Sequence, residues 1–429
     1  ALRGHGGILK WRGSILSYVP RDVRCIPSVH PAELFRDPSL ERCCIADWQK
    51  IAKEWRTPSK APTRQHYIAP SWREVEVFRL AVAAASKGTR LAVDIETPRR
   101  MKEIKTLTPK LKRPTTKKVP GTPFIGCVGF ALSTYESLTI PTMPGYWRER
   151  GIEMVDVWTA IAAICESKLE KVLQNGFFDA FYLLRDKAVR KALGRGIRLR
   201  NWKHDTLAKH HVLSAEDAHD LGHINSHYGV LPFWKDDAKQ SGDLRAVPPD
   251  LEQWWRYNGK DCTETHYLDA QLEAELEKQG QQQFYVDHYQ KCFAPLLGIM
   301  GDGMCVDNEL RQTRADALEA ELTTLRSQIN EAAGMDLLGK TSISAPKLKA
   351  YLYERLKLPL QHAKNARKEK VVSAGEIQLR KLMLRFPDRE ELQRLGNLVL
   401  RFRRVDKLRM FYADKTVDAD GRTRCSVTF

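Results

Sequence analysis

The sequence predicts an α/β fold over residues 71–283, followed by a mainly helical region over residues 284–429. Two observations carry this expectation. Short apolar runs that fit buried strands, LAVDIET (91–97), FIGCVGFAL (124–132) and KVLQN (171–175), alternate with segments whose apolar residues recur at helical spacing. Such alternation argues for helices layered on a sheet. Beyond Asp261 the strand signals fade, and segments rich in Ala, Leu and Glu take over. NELRQTRADALEAELTTLRSQINEAAG (308–334) suits a long helix or helical hairpin.

Taken in order, residues 1–36 alternate Gly/Pro turns with short apolar runs, and ERCCIADWQKIAKEW (41–55) has helical spacing. RTPSKAPTRQ (56–65) is Pro-rich, basic and aperiodic, which reads as a linker. SWREVEVFRLAVAAASKG (71–88) opens on a Ser suited to cap a helix and closes on a Gly. The basic run from Arg99 to Gly121 interrupts the pattern and is expected to be a mobile surface loop, with nucleic-acid contact as an alternative. A helix at 153–168, the strand at 171–175 and a helix at 177–193 complete the layered part. No internal repeat is visible.

The 429 residues include 70 Lys and Arg against 53 Asp and Glu, a net charge of +17. That excess suits a polyanionic partner, nucleic acid first and an anionic membrane surface second. No apolar run approaches the roughly 20 residues that span a bilayer, and no signal peptide pattern opens the chain, so a soluble, cytoplasmic protein is expected. Nine scattered cysteines without a CxxC pair indicate neither a cysteine zinc site nor a disulfide framework. The chain opens on Ala1 without an initiator Met and stops in RCSVTF, so a fragment of a longer polypeptide is expected.

The chemistry sits in carboxylates. Asp94 and Glu96 are one residue apart in an apolar strand, so both project from the same face. Two like charges there read either as a solvated strand end or as half of a metal site. Asp179 is the only acid in the helix start of QNGFFDAFYL (174–183), and Tyr257 and Asp261 in YNGKD are four residues apart, on one face of a helix. Four carboxylates suit Mg²⁺ or Mn²⁺. Two such ions about 4 Å apart support phosphodiester hydrolysis. A phenol of pKa near 10 is a poor base, so Tyr257 is better suited to positioning water and phosphate. Taken singly, Asp179 reads as a helix N-terminal charge and Tyr257 with Asp261 as a surface pair.

LAVDIET, NGFFD and YNGKD, in this order, resemble the three motifs of the DEDD-class 3′–5′ exonucleases, tyrosine subtype, over about residues 66–280. The resemblance implies a ribonuclease H-like mixed sheet with LAVDIET as its central first strand. It implies Asp94, Glu96, Asp179 and Asp261 as ligands of two divalent cations, with Tyr257 as a further catalytic residue. It places Thr97, Gln174, Asn175 and Phe178 near the 3′-terminal nucleotide. HDTLAKHHVL (204–213) is similar to a helix between the second and third motifs, so its histidines need no metal role, although metal binding remains an alternative.

The flanks extend the resemblance to family A DNA polymerases. APLLGIMGDGMCVD (294–307), the long helix after it and SISAPKLKAYLYERLKLPL (342–360) are similar to the start and thumb of such enzymes, with QHAKNARKEK (361–370) as the thumb tip. Arg403 and Lys407, at i and i+4, would meet phosphates of primer-template DNA, or else form a solvated helix face. GILKWRGSIL (7–16) and IPSVHPAELFR (26–36) resemble the end of a uracil-DNA glycosylase domain, where His30 matches a residue at the flipped base, or else a Pro-rich surface turn. The implied domains are a glycosylase-like remnant (1–56), a linker (57–70), the exonuclease (71–283) and a polymerase thumb region (284–429) truncated before the palm. The implied partner is DNA, single-stranded at the exonuclease, acted on by a monomer in a bacterial or phage-infected cell. Two other readings are a ribonuclease D-like RNA trimmer and a catalytically silent DNA-binding scaffold.

Overall fold

The computed structural model describes residues 7–18, 23–107, 114–236, 250–339, 342–364, 369–413 and 417–425. The chain divides after Gly301, and the second compact unit spans Asp302–Cys425.

The first unit is mixed α/β. Its six-stranded sheet consists of β1 (Gln65–Tyr67), β2 (Arg90–Glu96), β3 (Cys127–Ala131), β4 (Glu136–Pro141), β5 (Glu170–Leu173) and β6 (Trp202–Asp205). Their spatial order is β6-β5-β2-β3-β4-β1. β5 runs parallel to β2 and β6, β3 is antiparallel to β2 and β4, and β1 is parallel to β4. The LAVDIET strand is therefore internal, but an edge strand precedes it in the chain. That edge strand lies inside the segment expected as a linker.

The helices around the sheet are α1 (Glu41–Arg56), α2 (Trp72–Ala84), α3 (Met154–Cys165), α4 (Gly176–Arg185), α5 (Thr206–Leu213), α6 (Leu221–Tyr228) and α7 (Leu251–Lys278). Leu91, Val93 and Ile95 of β2 join one apolar core with Val75 and Val82 of α2 and Val157, Trp158, Ile161 and Ile164 of α3. On the opposite face Ala92, Ala131 and Val172 pack with Cys262 of α7. Small side chains let this helix lie close to the sheet. A Cβ on Gly129 of β3 would fall 2.2 Å from Asn258 Oδ1 and 2.6 Å from Cys262 Sγ, so only glycine fits there.

Local signals explain several boundaries. Ser71 and Glu74 form a reciprocal capping box at the start of α2. The helix expected over 177–193 is two helices, because Asp186 leaves the helical conformation and its Oδ1 accepts from Ala188 N and Val189 N at 2.7 and 3.2 Å. The basic run expected as a mobile loop pairs its backbone as an antiparallel ribbon, Arg99–Leu107 with Pro114–Pro123. Ladder bonding belongs to the backbone, and a Lys-rich run carries no apolar alternation to announce it. Residues 108–113, between the two strands in sequence, lie outside the described residues.

The amino-terminal segment packs on the same unit. The buried Arg12 guanidinium donates to both oxygens of buried Asp47 on α1, at 3.1 and 2.8 Å, and to Ser226 Oγ on α6 at 2.9 Å. Lys50 Nζ donates to the Ser226 carbonyl at 3.0 Å.

The second unit is mainly helical. Its helices include α8 (Asn308–Ala333), α9 (Glu376–Arg385) and α10 (Glu390–Ala413), with Leu322, Leu325, Ile329, Leu382, Leu395, Val399 and Phe402 in one core. Asp307 caps α8 through Leu310 N, and Gly334 at φ 62° ends it, so the 308–334 run is one helix. Two short strands, His362–Lys364 and Lys370–Val372, pair around residues 365–368, which lie outside the described residues. The last four residues, 426–429, also lie outside them.

Candidate active site

β2 delivers Asp94 and Glu96 on the face covered by α7, and α7 delivers Tyr257, Asn258 and Asp261 one turn apart. Ligand oxygens of Asp94, Glu96 and Asp261 all lie within 4.8 Å of one another. Asp179, buried on α4, joins from the strand's edge, where its Oδ1 accepts from Ile95 N at 2.9 Å. Residues 85 and 167 positions apart in the chain thus meet around one strand end.

The charge balance of this group is uneven. Burial, then the Asp261 charge, raises Asp94 to about 7, against an ordinary Asp near 3.9. Burial and the neighbouring carboxylates push Glu96 and Asp179 well above the usual carboxylate range. Burial and the same acids push the Tyr257 phenol far up, so it stays protonated. Its hydroxyl is a hydrogen-bond partner of Asp261.

Neighbouring donors hold the carboxylates in place. Asn258 Nδ2 donates to Asp94 Oδ2 at 2.7 Å and to the Asp94 carbonyl at 3.2 Å. Trp234 Nε1 donates to Asp261 Oδ1 at 2.7 Å. Lys235 Nζ donates to Asp261 Oδ2 at 2.6 Å and to the Tyr257 hydroxyl at 3.1 Å. Sequence reading missed Asn258, Trp234 and Lys235. Asn258 lies within the YNGKD motif and was recoverable from the i,i+3 spacing to Asp261, whereas a lone Trp-Lys pair in a loop carries no periodic signal.

At the start of α4, Asn175 adopts a left-handed conformation at φ 58°, and its N–H and that of Gly176 donate to Asp205 at 3.2 and 2.7 Å. Gln174 Nε2 donates to the His219 carbonyl at 2.7 Å, and its Oε1 accepts from Thr206 Oγ1. The Phe178 ring is 42 % exposed and lies 4.7 Å from Tyr182. Thr97 follows β2 directly and is half-buried. Arg403 of the second unit is half-buried, with Nη2 donating to the Ala374 carbonyl at 3.0 Å, and Lys407 is exposed. His30 is exposed, and its Nδ1 accepts from Ala32 N at 3.1 Å.

The donor set suits a hard divalent cation: all oxygen, clustered, and short of positive charge except for one ammonium. Residues 142–277 match the family model for the 3′–5′ exonuclease of A-type DNA polymerases. The matched region contains Asp179, Tyr257 and Asp261, while Asp94 and Glu96 precede it. No curated protein matches the sequence. Among solved structures, the fold is similar to the polymerase domain of Pol1 from M. smegmatis, solved in complex with DNA primer-template and dNTP. The TM-score is 0.50 at 15 % identity, over 85 % of this chain and 52 % of that one. This chain thus spans about half the length of that structure. No helix among the described residues is long and apolar enough to cross a membrane.

Proposed function

We propose that the first unit is a ribonuclease H-like 3′–5′ exonuclease of the DEDD tyrosine subtype, hydrolysing the terminal phosphodiester of DNA. The convergence of Asp94, Glu96 and Asp261, with Asp179 against the same strand, is the observation that carries the reading. These four carboxylates would hold two Mg²⁺ or Mn²⁺ ions, which supply activation of water and stabilisation of the leaving oxygen. Tyr257 remains a hydrogen-bond donor and positions the attacking water and the scissile phosphate. Asn258 holds the Asp94 carboxylate in orientation. Phe178, exposed on the helix that carries Asp179, offers an aromatic face to a terminal base.

On the same reading, the second unit is the thumb region of a family A DNA polymerase that meets primer-template DNA through Lys407 and Arg403. The amino-terminal residues, with His30, are the end of a uracil-DNA glycosylase-like domain. Replacing Asp94 and Glu96 together by Ala is expected to lower release of mononucleotides from a 3′-labelled strand by roughly a thousandfold or more, the scale of losing preorganised electrostatic stabilisation. Undiminished digestion by that variant overturns the assignment. Faster cleavage of RNA than of DNA oligonucleotides would instead place the chain with ribonuclease D-like trimmers, since the 2′-hydroxyl separates the two.

A further inference from the structure

Five imidazoles gather between α5 and α6, away from the role given to the carboxylates: His210, His211, His219, His223 and His227. His223 and His227 share one face of α6, four residues apart. His210 is fully buried on α5, and Asp217 comes from the turn between the helices. Atoms of His210, Asp217, His223 and His227 that can bind a metal all lie within 4.8 Å of one another. We propose that these four side chains form a structural site for a tetrahedral transition-metal ion, zinc foremost.

On His210 and His223 the hydrogen bonds leave a ring nitrogen for such an ion. His210 Nδ1 lies 2.8 Å from His219 Nδ1, and His219 Nε2 lies 3.1 Å from His211 Nδ1. One proton serves each contact. Passed from His210 towards His211, the protons leave His210 Nε2 as a bare lone pair, and passed the other way they leave a buried N–H. Either way His210 Nε2 has no hydrogen-bond partner among the described residues, and neither does His223 Nε2. A cation satisfies the first arrangement. It also reproduces the habit of metal-bound histidines, whose second ring nitrogen donates to a fixed acceptor, here His219.

Burial, then the neighbouring imidazoles, lowers His210 to about 3 and His227 to about 2, and burial with the Arg12 charge lowers His223. The rings are therefore neutral and able to ligate at neutral pH. Asp217 is steadied by Ser214 Oγ, which donates to its Oδ2 at 2.6 Å. His227 Nε2 lies 2.9 Å from Arg12 Nη2. Ligation through that nitrogen takes the Arg12 contact away, while Arg12 keeps Asp47, Ser226 Oγ and the Cys43 carbonyl. With bonds of about 2.0–2.2 Å to each ligand, closing the cluster needs shifts on the order of an ångström.

A second group, His204, Asp269 and Glu273, shows the contrast. Its Asp269 carboxylate is already paired with two cations: Lys209 Nζ lies 2.7 Å from Asp269 Oδ1, and Arg90 Nη1 lies 2.6 Å from Asp269 Oδ2. No comparable ammonium is paired with Asp217 among the described residues. The proposal is independent of the exonuclease reading, because nitrogen-rich ligands select a softer metal than the oxygen site does. The His219 carbonyl that accepts from Gln174 belongs to the loop such an ion would brace.

The test uses the full chain without a histidine tag, purified from zinc-supplemented culture and dialysed against metal-free buffer. Mass spectrometry of the metal content is expected to find about one zinc per chain. The zinc should be retained in Asp94→Ala/Glu96→Ala and lost in His223→Gln/His227→Gln. Chelator-stripped wild-type chain is expected to bind one equivalent of Co²⁺ with the intense visible absorption of tetrahedral coordination. Absence of both zinc and that spectrum in the wild-type chain overturns the proposal, even if the histidine variant does not fold. Full zinc retention by a folded histidine variant, or zinc lost with the Asp94/Glu96 pair, overturns it as well.

Discussion

Lys235 places an ammonium against Asp261 and Tyr257, beside two further carboxylates. A divalent cation that uses Asp261 Oδ2 must share or displace this contact. Lys235→Gln is therefore expected to destabilise the chain in EDTA and to enlarge the rise in melting temperature on adding Mn²⁺, since ligand stabilisation follows affinity. Equal Mn²⁺ shifts in both proteins would remove Lys235 from the site's charge balance. Asp94 gives a second residue-scale prediction. Its folded-state pKa is raised to about 7. An unfolded Asp titrates near 3.9, so below that pH the group is neutral in both states and burial carries no charge penalty. As pH rises towards 7 the unfolded state ionises first, and stability is lost. Urea denaturation in EDTA should thus show Asp94→Asn gaining on wild type between pH 4 and 7, by up to about 1.4 kcal/mol per pKa unit of displacement. A gap that does not change with pH contradicts this, and Mn²⁺ should narrow it.

Among the elements, α7 carries most of the site. It presents Tyr257, Asn258 and Asp261 from one helix and lies on β2 and β3 only because Ala92, Gly129 and Ala131 are small. The YNGKD spacing was legible in sequence because i,i+4 geometry follows from helix pitch alone. Trp234 and Lys235 were not legible, because a loop reaches its partners through tertiary folding rather than period. The strands β1, β4 and β6 were missed for a related reason. β1 is three residues in a Pro-rich basic stretch, and its identity rests on pairing with Glu136–Leu138. The amino-terminal segment is tied to α1 and α6 by the buried Arg12–Asp47 pair. Arg12→Met strands the Asp47 carboxylate in the interior, and a loss of about 3–5 kcal/mol in chemical denaturation is expected. A loss below roughly 1 kcal/mol would mean that Asp47 finds water or a new partner.

For the whole molecule, the net charge of +17 makes electrostatics the main long-range term. Binding of a single-stranded DNA oligonucleotide should weaken linearly in log–log plots against salt, with a slope of about −0.7 for each phosphate neutralised. Titration by fluorescence anisotropy between 50 and 200 mM salt measures it, and a flat response would exclude phosphate contacts as the source of affinity.

Sequence by itself determined the α/β-then-helical order, the helix cap at Ser71, and the carboxylate candidates, because each depends on residues within a turn or two of one another. Tertiary structure alone decided that Asp94, Glu96 and Asp261 lie together, with Asp179 of α4 hydrogen-bonded to the same strand, that Lys235 stands among them, and that the histidines of α5 and α6 face one another. Those outcomes depend on how a twisted sheet and a close-packed helix bring distant segments together, which no local period records.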